Sequence, residues 1–499
     1  MSGRVVLFLL ASVAAVAQAQ NSTCCEALRG SGLEYVYFRD TPAYQERNIS
    51  YFSVSAQLDP ICFVQPTGTA DVVKTVNILV KHPACLDTKF AVRSGGHMQW
   101  AGSNNIDDGV TVDLGLMNST TLESNGIAAV QPGARWGAVY EALDPFNYTV
   151  VGGREHAVGV AGFLTGGGNS FFSARFGFAA DTVKNFEVVL ANGEVVNANL
   201  NENSDLFQVL KGGGGSNYGI VTRFDMYAVA ITKLWGGVGI WDTSYREQHI
   251  NAHIKWVDNV EKYPPGSTVM AFTYQPVLGG SVILNFHHDT EGHVAAPAFD
   301  DFLAIPQVSN TFRIASHTEM ADELELPYGY RNVWFTTAVR NDPRIYNKIV
   351  DLHNQLTEEW KSEGDPDFMA ETNFQAIPRS FTEHSLANGG NILGLDQVNE
   401  NVVMNLFVIA VRTRDLEVKA TEKIKAYGAQ IEAFAASVDG LVDWRYLNYA
   451  GGGYQDPLAS YGEESSAKMK AASAKYDPTG IFQTKSPAGF KLSNSRAGS

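Results

Sequence analysis

The chain has few positive charges and no cluster of them. Its 499 residues include 37 lysines and arginines against 53 aspartates and glutamates, a formal net charge of -16. Nucleic acids are bound by grouped lysines and arginines that displace counterions from the phosphates. The sequence therefore predicts a protein with no nucleic-acid partner.

Long apolar runs are scarce as well. Residues 5–17 are apolar, follow Arg4 and lead into the small-residue pattern of residues 17–19. A membrane span needs ~20 apolar residues, so this run is too short to be an anchor. Its position and flanks are typical of a secretory signal peptide. We expect residues 1–19 to be removed and the mature protein to be soluble, secreted and extracellular, with no membrane partner.

Cysteine occurs only at Cys24, Cys25, Cys62 and Cys85. In an exported protein this even number predicts two disulfides. Adjacent cysteines do not readily pair with each other, which leaves two connectivities open. No cysteine or histidine pair follows at the spacing of a zinc finger, so we expect no metal. The run His-His-Asp at residues 287–289 follows a strand and is expected to form an exposed turn.

Four Asn-X-Ser/Thr sequons are consistent with export. They lie at Asn21, Asn48, Asn118 and Asn147. Each is a potential acceptor for an N-glycan if the chain passes through a glycosylating secretory pathway.

The length of the chain predicts two or three compact units, because one core rarely serves so many residues. Before residue 228 the pattern predicts short strands, helices and loops that end in glycine, including a helix at residues 71–81 and a hairpin at residues 183–197. After residue 228 longer alternating segments predict an antiparallel sheet with interleaved helices. We expect an α+β protein with a first unit at residues 20–227, a second at 228–440 and a C-terminal segment, 441–499, that returns to the first unit.

Two common nucleotide-binding motifs are absent, GxGxxG between strand and helix and GxxxxGK[ST], which argues against a Rossmann fold and a P-loop. Glycine-rich segments nevertheless recur, at residues 95–96, 152–153, 166–168, 212–215 and 451–453. Such loops allow backbone N–H groups to approach a pyrophosphate closely. Each of them alone is equally typical of a plain turn.

Taken in order, several segments resemble the berberine bridge enzyme-like FAD-linked oxidases of the vanillyl-alcohol oxidase superfamily. These segments are residues 93–97 (RSGGH), 130–133 (VQPG), 158–168, 177–181, 188–193, 213–222, 446–449 (YLNY) and 476–482. The resemblance covers nearly all of the mature chain. It implies a two-part, PCMH-type FAD-binding domain of the vanillyl-alcohol oxidase type, plus a substrate domain with an antiparallel sheet covered by helices.

The resemblance also implies that FAD is bonded covalently to His97, since the histidine of the RSGGH segment carries the flavin 8-methyl group in that family. Many members add a second bond, from a cysteine three residues before a Val-Gly pair. That position is Glu155 here, so we expect a single link. The other residues assigned to FAD are Arg93, Ser94, Gly95, Gly96, Pro132, Gly133, Val158, Gly159, Gly162, Gly166, Gly167, Gly168, Gly219, Ile220 and Val221.

For catalysis, Tyr449 matches the tyrosine that serves as the base in several family members. An ordinary tyrosine has a pKa of ~10, so a nearby cation or hydrogen-bond donor is needed to favour its phenolate, and Arg445 is adjacent in sequence. Glu155 and His156 are alternative acid–base residues, and a structural role for Tyr449 is the competing interpretation. Val158 occupies the position at which valine accompanies oxidases and leucine accompanies dehydrogenases.

Together these features predict a secreted FAD-dependent oxidase. It would transfer hydride from a hydroxyl- or amine-bearing small molecule, either an oligosaccharide or a secondary metabolite, to the flavin. Dioxygen would then reoxidise the flavin and yield hydrogen peroxide. The alternatives are a flavin dehydrogenase that uses another acceptor and a secreted flavin-binding protein without turnover.

Overall fold

The computed structural model describes residues 23–231 and 233–492. The predicted signal peptide, residues 1–19, and the sequon at Asn21 lie outside the described residues. Within the described ranges, no helix is long and apolar enough to cross a membrane.

Two small sheets are built from the first half of the chain. Their strands are β1 (Val36–Phe38), β2 (Cys62–Val64), β3 (Phe90–Arg93), β4 (Val110–Asp113), β5 (Thr120–Leu122), β6 (Ile127–Val130), β8 (Val183–Val189), β9 (Val195–Asn199) and β10 (Ile220–Tyr227). One sheet has the order β1-β2-β4-β3, in which β2, β4 and β3 are parallel. The other is antiparallel, with the order β5-β6-β10-β8-β9. β7 (Tyr148–Thr149) and β11 (Val229–Ala230) pair separately.

A large antiparallel sheet is built from residues 234–442. Its strands are β12 (Leu234–Trp241), β13 (Gly266–Gln275), β14 (Gly280–Asp289), β15 (Ser309–Asn310), β16 (Arg313–Ala315), β17 (Arg331–Arg340), β18 (Met369–Ile377), β19 (Val402–Val411) and β20 (Leu441–Val442). Their order is β15-β12-β14-β13-β18-β19-β17-β20, and β16 also pairs with β12. This is the antiparallel sheet expected for the substrate domain.

Helices separate and cover these sheets. They are α1 (Pro42–Ile49), α2 (Thr69–Lys81), α3 (Trp136–Leu143), α4 (Val160–Thr165), α5 (Ser173–Phe176), α6 (Ser204–Leu210), α7 (Arg246–Asn259), α8 (Asp300–Leu303), α9 (His317–Asp322), α10 (Pro343–Ser362), α11 (Ser380–Ala387), α12 (Arg414–Ser437), α13 (Gly462–Tyr476) and α14 (Ile481–Thr484). The amphipathic helices α10 and α12 pack on one face of the large sheet, and α7 packs beside α10. The other face of the large sheet lines the candidate site.

Two disulfides join helical residues 23–30 to the first sheet and to the segment after α2. Cys24 pairs with Cys85, and Cys25 pairs with Cys62. The prediction of two disulfides is confirmed, and one of the two open connectivities is selected. All four cysteines are fully buried in the core around β2 and α2.

Hydrogen bonds join the C-terminal segment to the first half of the chain, and those of Tyr476, Lys485 and Lys491 are examples. The Tyr476 hydroxyl donates to Asp205 of α6 at 2.6 Å. The Lys485 ammonium donates to the Leu79 carbonyl at 2.7 Å, and the Lys491 ammonium donates to the Ser216 carbonyl at 2.8 Å. These contacts are those expected of a segment that returns to the first unit.

The expectation of an exposed turn at residues 287–289 is wrong. His287, His288 and Asp289 are the last residues of β14 and are almost completely buried, because β12 and β13 pair with β14 through to its end. The Tyr263 hydroxyl donates to the Asp289 carboxylate at 2.6 Å. Within the described part of the chain, no group of histidine, cysteine and carboxylate side chains is arranged to hold a metal ion.

Candidate active site

A cleft of about 620 Å³ lies between the first unit and the uncovered face of the large sheet. Its size is in the range of small-molecule and cofactor sites. The cleft brings together residues that are far apart in sequence, and among those predicted for the site it is lined by Ser94, Gly95, Gly96, His97, Glu155, Val158, Gly159, Gly162, Gly219, Ile220, Val221 and Tyr449. Arg93, Pro132, Gly133, His156, Gly166, Gly167 and Gly168 do not line it.

The loop that follows β3 crosses the loop that precedes α4 with the two backbones in contact. A Cβ at Gly95 would lie 2.6 Å from the Gly159 Cα, so only glycines allow this crossing. The Ser94 hydroxyl fixes the crossing, because it donates to the Pro132 carbonyl at 2.6 Å and accepts from the Ala161 amide at 3.3 Å. Both loops therefore present backbone to the cleft at a fixed separation.

Arg93 supports this loop from behind. Its buried guanidinium donates to the Arg47 carbonyl at 2.8 Å, lies 3.7 Å from the Asp113 carboxylate and stacks 3.7 Å from the Tyr51 ring centroid. Tyr446 likewise fixes the segment that contains Gly168, since the Gly168 amide donates to the Tyr446 hydroxyl at 3.0 Å. These residues shape the cleft without facing it.

His97 lies in the cleft with its ring stacked on Phe52, at 4.2 Å between ring centroids and 8° between planes. Burial lowers the pKa of His97 to about 3, and the positive charge of Arg135 acts in the same direction. The imidazole is therefore neutral at ordinary pH. A neutral imidazole nitrogen has a lone pair and is a competent nucleophile.

Glu155 lies beside His97, with 3.3 Å between Glu155 Oε2 and His97 Nε2. Burial raises the pKa of Glu155 to about 7, while nearby backbone amides act in the opposite direction. His97 Nε2 and both Glu155 carboxyl oxygens are buried and form no aligned hydrogen bond. The pair is thus a polar site enclosed by protein on the cleft wall.

The residues of the cleft fit FAD. His97 lines the cleft with a buried, neutral imidazole, which is able to form a bond to a flavin. A Cβ at Gly162 would meet no protein atom within 4 Å, so the bare backbone of α4 faces open space there. Glycine-lined backbone at several points of one elongated cleft is suited to a pyrophosphate and a planar ring system.

Tyr449 is held in the cleft lining by a turn at Leu447–Tyr449. Its hydroxyl oxygen accepts from the Arg154 guanidinium at 3.0 Å and from the Gln375 amide at 3.3 Å. Arg154 also donates to Gln375 Oε1 at 2.7 Å, as does Asn169 at 3.1 Å. Two donors, one of them cationic, stabilise negative charge on the Tyr449 oxygen.

Two residues considered from the sequence are directed elsewhere. The Arg445 guanidinium pairs with Glu432 at 2.8 Å and Asp443 at 2.7 Å rather than with Tyr449. The cation beside Tyr449 is Arg154. His156 is partly exposed outside the cleft, where its ring Nδ1 is hydrogen-bonded to the Asp322 carboxylate.

The large sheet forms the second wall of the cleft. Alternate residues of its strands face inward, and most of these are apolar: Val238, Ile240, Val269, Leu284, Phe286, Leu406 and Val408. Two strands add polar side chains to this face: Glu371, Asn373 and Gln375 form a row on β18, and Ser267, Thr273 and Gln275 of β13 also line the cleft. The row ends at the Tyr449 hydroxyl.

Sequence reasoning gave no role to Arg154 or Gln375. Arg154 is adjacent to Glu155, but the direction of its side chain depends on the fold. Gln375 is 74 residues from Tyr449, so a link between them could not be read from spacing. The available signal was the spacing of Glu371, Asn373 and Gln375 at alternate positions of one strand, whose other residues are apolar apart from Thr372.

Comparisons with known proteins agree with this geometry. A family model described as an FAD binding domain matches residues 60–199. The FAD-dependent monooxygenase sdcF of Emericella nidulans is 39% identical over 474 residues, which are 94% of this chain and 98% of that protein.

Two solved structures have the same fold. Berberine bridge enzyme from Eschscholzia californica has a TM-score of 0.74 at 16% identity, covering 92% of this chain and 97% of that one. Glucooligosaccharide oxidase from Acremonium strictum, described with a 6-S-cysteinyl, 8α-N1-histidyl FAD, has a TM-score of 0.74 at 18% identity, covering 95% and 99%.

Proposed function

Since this chain belongs to the FAD-linked oxidoreductases of the berberine bridge enzyme type, we propose that it is an oxidase of hydroxyl- or amine-bearing small molecules. Bound FAD supplies the hydride acceptor. Dioxygen then reoxidises the reduced flavin and is released as hydrogen peroxide. The residues of the cleft bind the substrate, orient it and accept its proton.

The observation that carries this proposal is the environment of Tyr449. A base must take the hydroxyl or amine proton from the substrate as hydride leaves the adjacent carbon. The Tyr449 oxygen lines the cleft, and its two donors, Arg154 and Gln375, stabilise negative charge on it. Arg154 is itself oriented by the Gln375 carbonyl oxygen, so the three side chains form one rigid unit.

The lining of the cleft favours a largely apolar secondary metabolite over an oligosaccharide. A sugar presents many hydroxyls, and an apolar wall leaves them without hydrogen-bond partners. Of the aromatic residues of the second unit, Phe286 and Trp334 line the cleft, whereas Trp241 and Phe374 are buried in the core. The polar row on β18 supplies a few placed hydrogen-bonding groups, as is typical of small-molecule sites.

We further propose that His97 alone is bonded to the flavin. His97 is neutral and faces the cleft, and Glu155 stands where the second attachment would need a cysteine. All four cysteines of the chain are in disulfides remote from the cleft lining. Val158 in the lining supports dioxygen as the acceptor.

The first test is to precipitate the purified protein with acid and to record whether the yellow flavin stays with the pellet. Peptide mass spectrometry should then find FAD on the His97 peptide, and His97→Ala should release it. A panel of apolar alcohols, phenols and amines is next screened by anaerobic bleaching of the flavin and by peroxide release in air. Flavin that washes off the wild type contradicts the covalent bond. Flavin that no panel member bleaches favours a binding protein without turnover.

Monooxygenation is the second candidate, because the relative sdcF is named a monooxygenase. An oxidase releases about one hydrogen peroxide per product, whereas a monooxygenase places one atom of dioxygen in the product and needs an external reductant. Turnover under ¹⁸O₂ separates the two by the mass of the product. Turnover that proceeds equally well without dioxygen, with a quinone as acceptor, would instead indicate a dehydrogenase.

We also propose that the protein is secreted and glycosylated. Two disulfides support an oxidising compartment. Asn118 and Asn147 are exposed, as N-glycan acceptors must be, and Asn48 is partly exposed. N-terminal sequencing of protein from the culture medium should begin at Gln20, and glycosidase treatment should lower its mass.

A further inference from the structure

Glu155 and His97 form a buried pair that has no part in the proposed oxidation of the substrate. The 3.3 Å between Glu155 Oε2 and His97 Nε2 is the shortest approach that either group makes to a charged partner. Neither group has a competing aligned hydrogen bond. A buried carboxyl group costs stability unless it is paired, so its retention beside the cleft indicates a function.

We propose that Glu155 is the positioning residue for covalent attachment of the flavin: it sets the tautomer of His97 and takes the imidazole proton as the bond forms. The inference rests on the covalent bond proposed above. The tautomer of a histidine is set by the partner of one ring nitrogen. Because Nε2 faces Glu155, the proton resides on Nε2, and Nδ1 keeps the lone pair that forms the bond.

The step balances as follows. Nδ1 forms a bond to the 8-methyl carbon, and that carbon gives up one hydrogen as a proton, which the reduced flavin ring takes up and which later leaves, with the Nε2 proton, in the hydrogen peroxide. The electron pair of the broken C–H bond stays on the flavin, which becomes two-electron reduced, and dioxygen later removes these electrons as hydrogen peroxide. The new bond leaves a positive charge on the imidazole until Nε2 transfers its proton to the Glu155 carboxylate.

The surroundings of His97 explain why a proton acceptor is needed. A positively charged imidazole is disfavoured there by burial and by the nearby Arg135 guanidinium. Glu155 is the carboxylate that the described residues place within 4 Å of a His97 nitrogen. Its carboxyl group is half protonated near neutral pH, since burial raises its pKa to about 7, so it can both hold and release a proton.

The test compares the covalent share of bound flavin in the wild type, Glu155→Gln and Glu155→Asp. Glutamine keeps the size and an acceptor oxygen but cannot take a proton, whereas aspartate keeps the base. Glu358→Gln is the matched control, because Glu358 is an exposed glutamate on α10 that does not line the cleft. Each protein is incubated with excess FAD, precipitated with acid, and its flavin is counted in the pellet and in the supernatant.

We expect a largely covalent flavin in the wild type and in Glu358→Gln, and a covalent share about 100-fold lower in Glu155→Gln, at the lower edge of proton-transfer effects. Noncovalent FAD released from Glu155→Gln would show that the variant folds, and partial recovery in Glu155→Asp would identify the base. A wild-type covalent share in Glu155→Gln would overturn the role of Glu155. A wild type without covalent flavin would overturn the attachment itself, and this inference with it. If Glu155→Gln holds no FAD, the covalent share of flavin is measured in Glu155→Asp instead. A covalent share in Glu155→Asp as low as that in His97→Ala would overturn the proposal.

Discussion

At the scale of single residues, the proposed chemistry depends most on the Tyr449 hydroxyl. Tyr449→Phe removes the oxygen that Arg154 and Gln375 hold and leaves the ring in place. We expect reduction of the flavin by substrate to slow by about 100-fold to 10,000-fold, the range of general base catalysis. Rapid-mixing measurements of flavin bleaching without oxygen give this rate.

The control for Tyr449→Phe is the same change at Tyr454, whose hydroxyl donates to the Trp334 carbonyl and does not line the cleft. Tyr454→Phe should keep the wild-type rate of reduction. Equal rates in Tyr449→Phe and the wild type would mean that Tyr449 is only structural. Glu155 would then be the remaining acid–base residue in the cleft.

We propose that Val158 acts in a different half-reaction, as a gatekeeper for the access of dioxygen to the reduced flavin. It lines the cleft beside Gly159, and Val158→Leu adds one methylene group to a wall that dioxygen must pass. We expect reoxidation of the reduced flavin by dioxygen to slow by about tenfold or more, since close-packed walls do not absorb added volume freely. Mixing photoreduced protein with aerated buffer measures this rate, and Val294→Leu at an exposed site is the control. An unchanged rate of flavin reoxidation in Val158→Leu would contradict the gatekeeper interpretation.

At the scale of elements, β18 contributes a row of polar residues to the sheet wall of the cleft. Burial raises the pKa of the Glu371 carboxyl group, which accepts a hydrogen bond from Asn373 at 3.0 Å. We expect Glu371→Gln to raise KM by about tenfold for substrates with a hydrogen-bond donor, because bonds to charged groups contribute about 1.5–3 kcal/mol. The kcat and the covalent flavin should not change. Steady-state kinetics beside Glu358→Gln, an exposed change on α10, checks this; a fall in kcat alone would place Glu371 in the chemistry instead.

The periodicity of the sequence predicted most of the elements that carry the site. The helix expected at residues 71–81 is α2 (Thr69–Lys81), and the hairpin expected at residues 183–197 is β8 and β9. Local patterns suffice there because each element has one buried face. The error at His287 has the opposite cause. β14 is buried on both faces through its end, so the polar residues there have the sequence pattern of an exposed turn although they are buried.

The pairing of Cys25 with Cys62 could not be predicted, because it depends on which strand the helical residues 23–30 lie against. The same limit applies to the site. Motifs identified His97 and Tyr449, but the contacts of Tyr449 with Arg154 and Gln375 join segments 295 and 74 residues apart. Such contacts follow from the packing of the two halves of the molecule and not from any local pattern.

At the scale of the whole molecule, the buried histidines link stability to pH. Seven of the eleven histidines have a pKa lowered by burial: His97, His249, His253, His287, His288, His317 and His353. Where a value is resolved, it is about 3 or 4 in the folded state, against ~6.5 in an unfolded chain. Below pH ~6.5 the unfolded state therefore binds more protons than the folded state.

The sign of the effect follows from that difference. Each neutral histidine contributes stability that is complete above pH ~6.5 and is lost as the pH falls towards 4, by about 1.4 kcal/mol per pH unit once the unfolded chain is protonated. Glu155 and Asp181 act in the opposite direction, since burial raises their pKa values to about 7 and about 6. Burial also raises the pKa of Glu371 and of Asp477, which act in the same direction as Glu155 and Asp181. The seven histidines outnumber these four carboxyl groups, so the net effect is a loss of stability in acid.

We therefore expect the midpoint of thermal unfolding to fall steeply between pH 6.5 and pH 4. His353 offers a single-residue test, because it is buried against Phe407 and its Nδ1 lacks a hydrogen-bond partner. His353→Leu should reduce the dependence of the unfolding free energy on pH by about one proton. His293→Leu, at a histidine whose side chain is 58% exposed, should leave that slope as it is in the wild type. Denaturant titrations at half-unit steps of pH measure both slopes, and parallel curves for His353→Leu and the wild type would mean that His353 is protonated in the folded protein.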